Sequence, residues 1–378
     1  MDKFIPRLIS PKIAEAHKYF PVIVVTGPRQ SGKSTLCRHL YPDYRYVNLE
    51  HITTRTQAIA DPVAFIEALG EHVIIDEVQH VPQLLSMIQV KVDENRSLRY
   101  ILTGSSNLSL LKTVTQSLAG RAAMFTLLPL SFKEIDRSQL DKPIEQLMWH
   151  GQYPGVIADT IPPEIFFRNY YTTYVERDLR ELLNLKNLVA FDTFIRLLAT
   201  RVGSEVNASA LARESGVTSK TVSEWLSLLA TSYIIFTLPP YFNNPSKRLT
   251  KMPKVYFCDT GLLCYLLSIE TPQQLVNHHL KGAVFENLAM GELLKNRYNL
   301  AKDPNLYFYR EHTGKEVDAV QVTPEGLKLY EIKAAKMFRP DFIENMTYLM
   351  RTIDNIASTT VIYDGETLAP MTLNIRDI

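Results

Sequence analysis

The 378-residue chain has few of the residue types that build disulfide scaffolds, zinc sites and membrane spans. Its three cysteines, Cys37, Cys258 and Cys264, form no CxxC pair and are too few for a disulfide framework, which favours a reducing, cytoplasmic location. The nine histidines lack an HxxxH or similar ligand spacing, so no transition-metal site is expected. No apolar run approaches the roughly 18 residues of a membrane helix, and residues 1–10 lack the apolar core of a signal peptide. The sequence therefore predicts neither export nor membrane insertion.

Net charge is also nearly absent, at +1, so any contact with nucleic acid must come from a local basic patch. Apolar residues make up 46% of the chain and charged residues 21%, which is typical of globular proteins and excludes a disordered or coiled-coil chain. At roughly 150 residues per domain, this length predicts two or three domains.

The apolar pattern divides the chain into four successive blocks. Short β-rich runs first alternate with helical stretches, which predicts an α/β domain with a parallel sheet. A helical stretch follows, and then two short helices and two strands that predict a winged helix-turn-helix, with the strands at 233–236, beginning at Tyr233, and at 255–257. The last part is ordered as helix, three strands, helix and strand, with the three strands predicted at 306–310, 316–322 and 327–333 and the second helix at about 341–353. We divide the chain into an α/β domain, a helical lid or linker, a winged helix-turn-helix and a second α/β domain, over 1–135, 136–200, 201–265 and 266–378.

A glycine-rich segment fits the pattern GxxxxGK[ST] and lies between an apolar strand and a helix. Gly27 and Gly32 permit a tight turn whose backbone N–H groups surround anionic phosphates. Lys33 is expected to bridge the β- and γ-phosphates of ATP, and the Ser34 hydroxyl to coordinate Mg²⁺. The predicted nucleotide-binding residues are Gly27, Pro28, Arg29, Gln30, Ser31, Gly32, Lys33, Ser34 and Thr35.

A second apolar run, at 73–75, ends in the acids Asp76 and Glu77 and resembles a Walker B element. Asp76 is expected to hold Mg²⁺ through water, and Glu77 to orient or deprotonate the attacking water. The alternative is a buried strand that ends in a solvated acidic turn. Two adjacent acids favour hydrolysis over a small-molecule kinase reaction.

Two further positions complete the predicted nucleotide site. Ser105, or its neighbour Ser106, follows a third strand and is the predicted γ-phosphate sensor. Arg121 precedes another strand, from which an arginine finger could reach the nucleotide of a neighbouring subunit in a homo-oligomer. Its alternative role is that of a cation favourably placed at a helix C-terminus.

These motifs resemble those of prokaryotic AAA-type P-loop ATPases that are related to the archaeal ATPase and STAND groups and carry a C-terminal domain of unknown function. The resemblance implies a AAA-type P-loop NTPase fold that uses ATP and Mg²⁺. It extends over nearly the whole chain, through the segments 27–35, 73–82, 101–106, 118–121, 128–132, 153–154, 174–178, 256–262 and 282–287.

The C-terminal α/β domain carries a second candidate centre that resembles PD-(D/E)xK nucleases. Alternation along a strand places Glu331 and Lys333 on one face, and Asp318 lies in the preceding strand. Asp318 and Glu331 are expected to bind Mg²⁺, and Lys333 to position the attacking water and stabilise developing charge. Glu286, on the preceding helix, is a plausible fourth member. The alternatives are a solvated strand face, or a nuclease fold reused as an inactive scaffold.

The winged helix-turn-helix is the other candidate for contact with DNA or RNA. The alternative is a solvated loop on a domain that makes protein contacts or packs against its neighbours. The candidate contacts are Ser219, Lys220, Thr221 and Ser223 on the second helix and Lys247, Arg248, Lys251 and Lys254 in the wing loop.

Three functions remain open from the sequence. The first is an ATPase whose nucleotide state repositions the winged-helix and nuclease-like module. The second adds metal-dependent cleavage of nucleic acid, and the third is a nucleotide-controlled, non-catalytic switch that recruits DNA or protein.

Overall fold

The structure is a computed structural model. It describes residues 4–104, 117–178, 187–242, 252–311, 314–368 and 370–378, with the backbone alone described at 176–178. The chain forms two compact units. Unit 1 comprises Met1–Pro129, Thr231–Tyr233 and Tyr298–Lys302, and unit 2 comprises Leu130–Ala230, Ile234–Arg297 and Asp303–Ile378.

Unit 1 is built on five parallel strands, which confirms the α/β prediction. Their order is β2-β3-β4-β1-β5, so β4 separates the strand before the glycine-rich segment from the strand that ends in Asp76. The strands are β1 Val22–Thr26, β2 Arg45–Asn48, β3 His72–Asp76, β4 Arg99–Gly104 and β5 Ala122–Thr126.

Both faces of this sheet are buried, and neighbouring residues of β1 enter opposite cores. Val22 and Val24 belong to one apolar cluster, whereas Ile23 and Val25 belong to the other. This arrangement explains why β1 is a continuous apolar run rather than an alternating one. The helices of unit 1 are α1 Ser10–His17, α2 Lys33–Leu40, α3 Ile52–Ala60, α4 Pro62–Leu69 and α5 Gln83–Glu94.

The predicted helical stretch of 136–200 lies in unit 2 and contains short helices and one π-helical segment, Tyr171–Asp178. Tyr170, Tyr171 and Tyr174 are buried, as expected for core residues. The α-helices here are α6 Arg137–Leu140, α7 Ile144–His150, α8 Pro154–Ile157, α9 Pro163–Tyr170 and α10 Leu188–Ala199.

Two helices joined by a tight turn come next, followed by an antiparallel pair of strands. Gly216 forms the turn with φ of 68°, a left-handed conformation that glycine adopts without steric cost. The strand predicted to begin at Tyr233 begins two residues later, because Tyr233 itself has φ of 55° and cannot join a ladder. The elements are α11 Ala208–Ser215, α12 Ser219–Thr231, β6 Ile235–Leu238 and β7 Lys254–Phe257.

The C-terminal sheet has the order β12-β11-β10-β9-β8, with β8, β9 and β10 antiparallel and β10, β11 and β12 parallel. The predicted order of helix, three strands, helix and strand is present, with the three-residue strand β12 added at the edge. The strands are β8 Leu306–Arg310, β9 Glu316–Thr323, β10 Gly326–Lys333, β11 Ile356–Tyr363 and β12 Thr372–Asn374.

The helices of this part include one long helix, α15, that precedes the sheet, and one short helix, α16, between β10 and β11. The helix predicted over 341–353 begins with a 3₁₀ turn, Pro340–Ile343, which has a proline in its first position, and continues as an α-helix from Glu344. Of the helices that the structure describes, none is both long and apolar enough to cross a bilayer. The helices are α13 Thr260–Leu266, α14 Pro272–Val276, α15 Lys281–Asn299 and α16 Glu344–Thr352.

Candidate functional site

The glycine-rich segment forms a compact loop between β1 and α2. Gly27 and Gly32 have φ of 150° and 91°, and Gln30 lies in the left-handed region at 61°. A side chain at Gly27 would collide with the carbonyl oxygen of Leu127, so only glycine fits there. Of the other predicted residues, Pro28, Ser31 and Lys33 are buried, Arg29 and Ser34 are half-buried, and Thr35 is exposed.

Lys33 folds back over this loop. Its Nζ donates hydrogen bonds to the carbonyl oxygens of Gly27, at 3.1 Å, and Pro28, at 2.8 Å. Burial lowers the pKa of Lys33, and the negative charges of Glu77 and Asp76 oppose this shift. The ammonium is thus held at the loop by neutral oxygens and lies within the field of two acids.

Arg7 supports the loop from outside the motif, and sequence reasoning missed it. Its guanidinium is buried and donates to the carbonyl oxygens of Ser31, at 2.9 Å, and Leu128, at 2.7 Å. Arg7 therefore ties the loop to the chain that follows β5. No local pattern around Arg7 indicates this contact, because its partners lie 24 and 121 residues away.

The two predicted acids lie at the carboxyl end of β3. Asp76 is 4% exposed and accepts hydrogen bonds from the hydroxyls of Tyr46, at 2.6 Å, and Thr103. Thr103 is on β4, between the acid strand and β1, where Val25 is its partner in register. Glu77 adopts a left-handed φ of 56° and accepts a hydrogen bond from the Gln79 side chain.

Arg121, Ser105 and Ser106 are the remaining residues that were predicted for the nucleotide site. Arg121 forms a two-point ion pair with Asp93 of α5, with distances of 2.7 Å from Nε and 2.6 Å from Nη2. The hydrogen bond to Asp93 raises the pKa of Arg121. In this arrangement the guanidinium is engaged within unit 1, and the arginine-finger role stays a prediction. Ser105 and Ser106 lie outside the described residues.

The predicted C-terminal residues come together in unit 2. We call Asp318 and Glu331, on neighbouring strands, the inner pair. The Ile332 backbone N–H donates to Asp318 at 2.7 Å, and Lys333 Nζ lies 2.7 Å from Glu331 and 3.4 Å from Asp318. Burial lowers the pKa of Lys333, but Asp318 and Glu331 outweigh burial and raise it above its ordinary value.

Glu331 is the most buried of these acids, at 2% exposure. Burial, followed by the negative charge of Asp318, raises its pKa to about 8. Within the described part of the chain, its Oε1 has no hydrogen-bond partner. A buried carboxylate oxygen without a partner is costly, so this atom is suited to a ligand.

Glu286 also lies at this centre, and with Glu316 it forms what we call the outer pair. Glu286 is on α15 and accepts from the Tyr256 hydroxyl, at 2.6 Å. Burial and the charge of Asp318 raise the pKa of Glu286 to about 7. Glu286 therefore lies close enough to Asp318 for the two charges to interact, and its part in the chemistry of this centre stays a prediction.

Lys254 corrects one interpretation of the sequence. It was expected among exposed basic residues of a wing loop, but it begins β7 and is 3% exposed. Its Nζ lies 2.5 Å from Glu316 and 3.4 Å from Glu286, so the outer pair holds it inside unit 2. Lys254 is therefore unavailable to phosphate in this structure. Lys247, Arg248 and Lys251 lie outside the described residues.

Over the residues that the structure describes, no group of three or more His, Cys, Asp or Glu side chains is arranged around a common metal position. The inner pair therefore offers two carboxylates. That number suits Mg²⁺, which usually retains several waters and takes one or two carboxylates from the protein.

Three family matches cover successive parts of the chain. Residues 19–136 match a family described as AAA domain, and this part has the α/β fold, with a five-stranded parallel sheet, of a P-loop NTPase. Residues 141–273 match a domain of unknown function, DUF8612, and residues 281–376 match another, DUF4143. The first match suggests nucleotide binding and hydrolysis by unit 1.

Similarity to other proteins covers most of the chain. An uncharacterized protein of Mycobacterium tuberculosis is 29% identical over 358 residues, which span 93% of this chain and 78% of that protein. An uncharacterized protein of Methanocaldococcus jannaschii is 23% identical over 395 residues, which span 94% of this chain and 85% of that protein. Among solved structures, the Walker-type ATPase of Pyrococcus abyssi is 17% identical, with a TM-score of 0.43 and coverage of 68% of this chain and 94% of that chain.

Proposed function

We propose that the protein is an ATPase that binds ATP with Mg²⁺ at unit 1 and hydrolyses it. The observation that carries the proposal is the placement of Lys33, Asp76 and Glu77 at the carboxyl edge of one parallel sheet, where α/β folds bind their ligands. The charges of both acids act on the Lys33 ammonium, which indicates that the three groups lie close enough to interact electrostatically.

The loop residues fit a bound phosphate. The hydroxyl of Ser31 is fully buried and lacks a partner among the described residues, and Lys33 is satisfied only by loop carbonyls. A phosphate oxygen would give Ser31 an acceptor and give Lys33 a charged partner, which forms a stronger hydrogen bond than a neutral oxygen. Nucleotide binding would therefore satisfy groups that the protein alone leaves poorly matched.

The residues also fit Mg²⁺. Ser34 follows Lys33 in the first turn of α2, and Asp76 presents a buried carboxylate whose hydroxyl partners hold it in one orientation. Bound Mg²⁺ would neutralise developing charge on the phosphates. Glu77 would accept a proton from the attacking water, and its left-handed backbone turns the chain at this point.

ATP hydrolysis by matched variants tests this function. We expect Lys33→Ala to lose ATP binding, and Glu77→Gln to bind ATP while turnover falls by about 10²-fold or more, the usual contribution of a positioned base. Glu50→Gln is the control, because Glu50 is an exposed acid of the same unit. Wild-type turnover in both Lys33→Ala and Glu77→Gln would show that the assignment is wrong.

We further propose that the nucleotide state controls unit 2, which would act on or bind nucleic acid through the helix pair α11 and α12 and the C-terminal sheet. The proposal is supported by the inner pair, which supplies a candidate catalytic centre outside unit 1. ATP turnover measured with and without DNA and RNA tests the coupling. Identical turnover under all three conditions would contradict it.

A second candidate function is metal-dependent phosphodiester cleavage, which the juxtaposition of Asp318, Glu331 and Lys333 favours. The Oε1 of Glu331, which has no partner among the described residues, and the Asp318 carboxylate fit Mg²⁺, which would activate water and stabilise the leaving oxygen. Lys333 would stabilise negative charge on the scissile phosphate.

Nicking of plasmid DNA and RNA in Mg²⁺ tests this second function. We expect Asp318→Ala and Lys333→Ala to abolish cleavage, and Asp354→Ala, at an exposed acid of the same domain, to retain it. If the wild-type protein cleaves no nucleic acid, unit 2 is better described as a nucleotide-controlled scaffold that binds DNA or protein.

A further inference from the structure

The lysine of β7 occupies a position that nothing in the local sequence predicts. Lys254 is buried and its Nζ contacts both acids of the outer pair, Glu316 at 2.5 Å and Glu286 at 3.4 Å. The same atom lies 5.4 Å from the centroid of the Phe308 ring, over its face. A buried ammonium persists only when carboxylates compensate its charge. Lys254 is therefore a built-in cation of the carboxylate centre.

The two pairs of carboxylates are each bridged by one lysine. Lys254 bridges the outer pair and Lys333 bridges the inner pair. When all four carboxyl groups are ionised, they exceed the two lysines by a formal charge of −2. Arg310 lies 3.5 Å from Glu316 but also pairs with Glu205 at 3.3 Å. The charges of Arg310 and Glu205 cancel, so they leave the formal charge of the centre unchanged. One divalent cation would neutralise the centre.

The inner pair is where that cation fits. Glu331 is 2% exposed, and its Oε1 has no partner among the described residues. In the outer pair, by contrast, Lys254 already sits between the two acids, and Glu286 also receives the hydroxyl of Tyr256. The two pairs therefore differ in whether they can take a further ligand.

We propose that Lys254 takes the place of a second metal ion at the outer pair, so that the centre binds one divalent cation, at the inner pair, rather than two. This inference rests on the second candidate function, because it concerns the metal that cleavage would use. It makes Lys254 a specificity-determining residue for metal stoichiometry. It also gives the buried position of Lys254 a chemical reason.

Counting bound Mn²⁺ tests the proposal, with free Mn²⁺ measured by electron paramagnetic resonance. The full chain is used without nucleotide, and every protein carries Asp76→Asn so that only unit 2 is titrated. We expect one Mn²⁺ in this parent protein and two in Lys254→Met. The double variant Lys254→Met, Glu316→Gln restores the formal charge of −2, and we expect it to bind one Mn²⁺ again. Lys133→Met, at an exposed lysine of unit 2, is the control and should bind one.

The number of bound Mn²⁺ ions either supports or overturns the proposed role of Lys254. Two Mn²⁺ ions in the parent protein would overturn the inference without any variant, even if Lys254→Met fails to fold. One ion in both the parent and a folded Lys254→Met protein would also overturn it. A parent protein that binds no Mn²⁺ would overturn it as well, because the inner pair is proposed to hold one ion. The nicking assay separately decides cleavage, since one bound Mn²⁺ without cleavage removes the nuclease function alone.

Discussion

Replacing Lys295 with methionine should strongly destabilise unit 2, because it breaks a fully buried ion pair. Lys295 Nζ lies 3.1 Å from Glu292 Oε1, 2.5 Å from the side-chain oxygen of Gln152 and 3.1 Å from the carbonyl oxygen of Leu130. The exposed fractions of Glu292 and Lys295 are 0% and 2%. Glu292 also accepts the backbone N–H of Phe132 at 2.8 Å. The network therefore joins α15 to two segments that lie 140 and 160 residues earlier.

The size of the effect follows from burial. Removing one partner of a buried ion pair leaves the other charge uncompensated and costs about 3–5 kcal/mol, whereas removing both charges is often nearly neutral. We therefore expect Lys295→Met to cost about 3–5 kcal/mol. The double variant Glu292→Gln, Lys295→Met should recover most of this loss, because the glutamine amide keeps an oxygen and a nitrogen for its neighbours without a charge.

Urea unfolding followed by tryptophan fluorescence measures the change. Both tryptophans, Trp149 and Trp225, belong to unit 2, so their signal reports on that unit. Lys220→Met, at an exposed lysine of the same unit, should shift the midpoint little. A loss below about 1 kcal/mol for Lys295→Met, or a double variant no more stable than the single one, would refute the reasoning.

Two further predictions concern unit 1. Arg7→Met removes the two buried hydrogen bonds that tie the glycine-rich loop to the chain after β5. It should weaken binding of a fluorescent ATP analogue by roughly 10-fold, since a charged hydrogen bond contributes about 1.5–3 kcal/mol. Arg96→Met, at an exposed site, is the control, and equal affinities in the two variants would contradict the role. His17 should titrate near pH 4 rather than 6.5, because burial and then the charges of Arg99 and His72 lower its pKa to about 4. The stability that depends on its neutral form is complete above pH 6.5 and is lost as the pH falls towards 4. Histidine NMR titration, with His17→Gln to assign the signal, measures this, and a midpoint near 6.5 would contradict it.

The parts of the fold that the sequence predicted well are those set by local pattern. β8 was predicted at its observed bounds, and β9 and β10 differ by one residue at one end, because alternation or apolar runs mark them clearly. The glycine-rich loop before Lys33 was also predicted from local pattern, because a side chain at Gly27 would collide with a backbone carbonyl oxygen. Asp318, Glu331 and Lys333 come together as expected because neighbouring strands with a short turn fix their register.

What the sequence left out depends on contacts between distant residues. Arg7 meets its partners through the fold of unit 1, and its own neighbourhood carries no mark of that contact. Lys254 appeared to belong to a basic loop, and only the packing of β7 near α15 shows that its charge is buried. The left-handed backbone of Tyr233 likewise shortened a predicted strand, since a run of aromatic and β-branched residues gives no sign of positive φ.

Two lysine and glutamate networks in unit 2, each containing a buried glutamate, differ in a way that separates structural from functional chemistry. In the first, the three N–H groups of Lys295 meet three acceptors, and both oxygens of Glu292 are bonded, so the network is closed to any ligand. In the second, Glu331 keeps one oxygen without a partner among the described residues although it is equally buried. A protein that needed this acid only for stability would gain by completing its hydrogen bonds or by replacing it with an apolar residue. We therefore expect Glu331, in the incomplete network, to bind a metal ion. Substitutions in the complete network of Glu292 and Lys295 are expected to change only the free energy of unfolding.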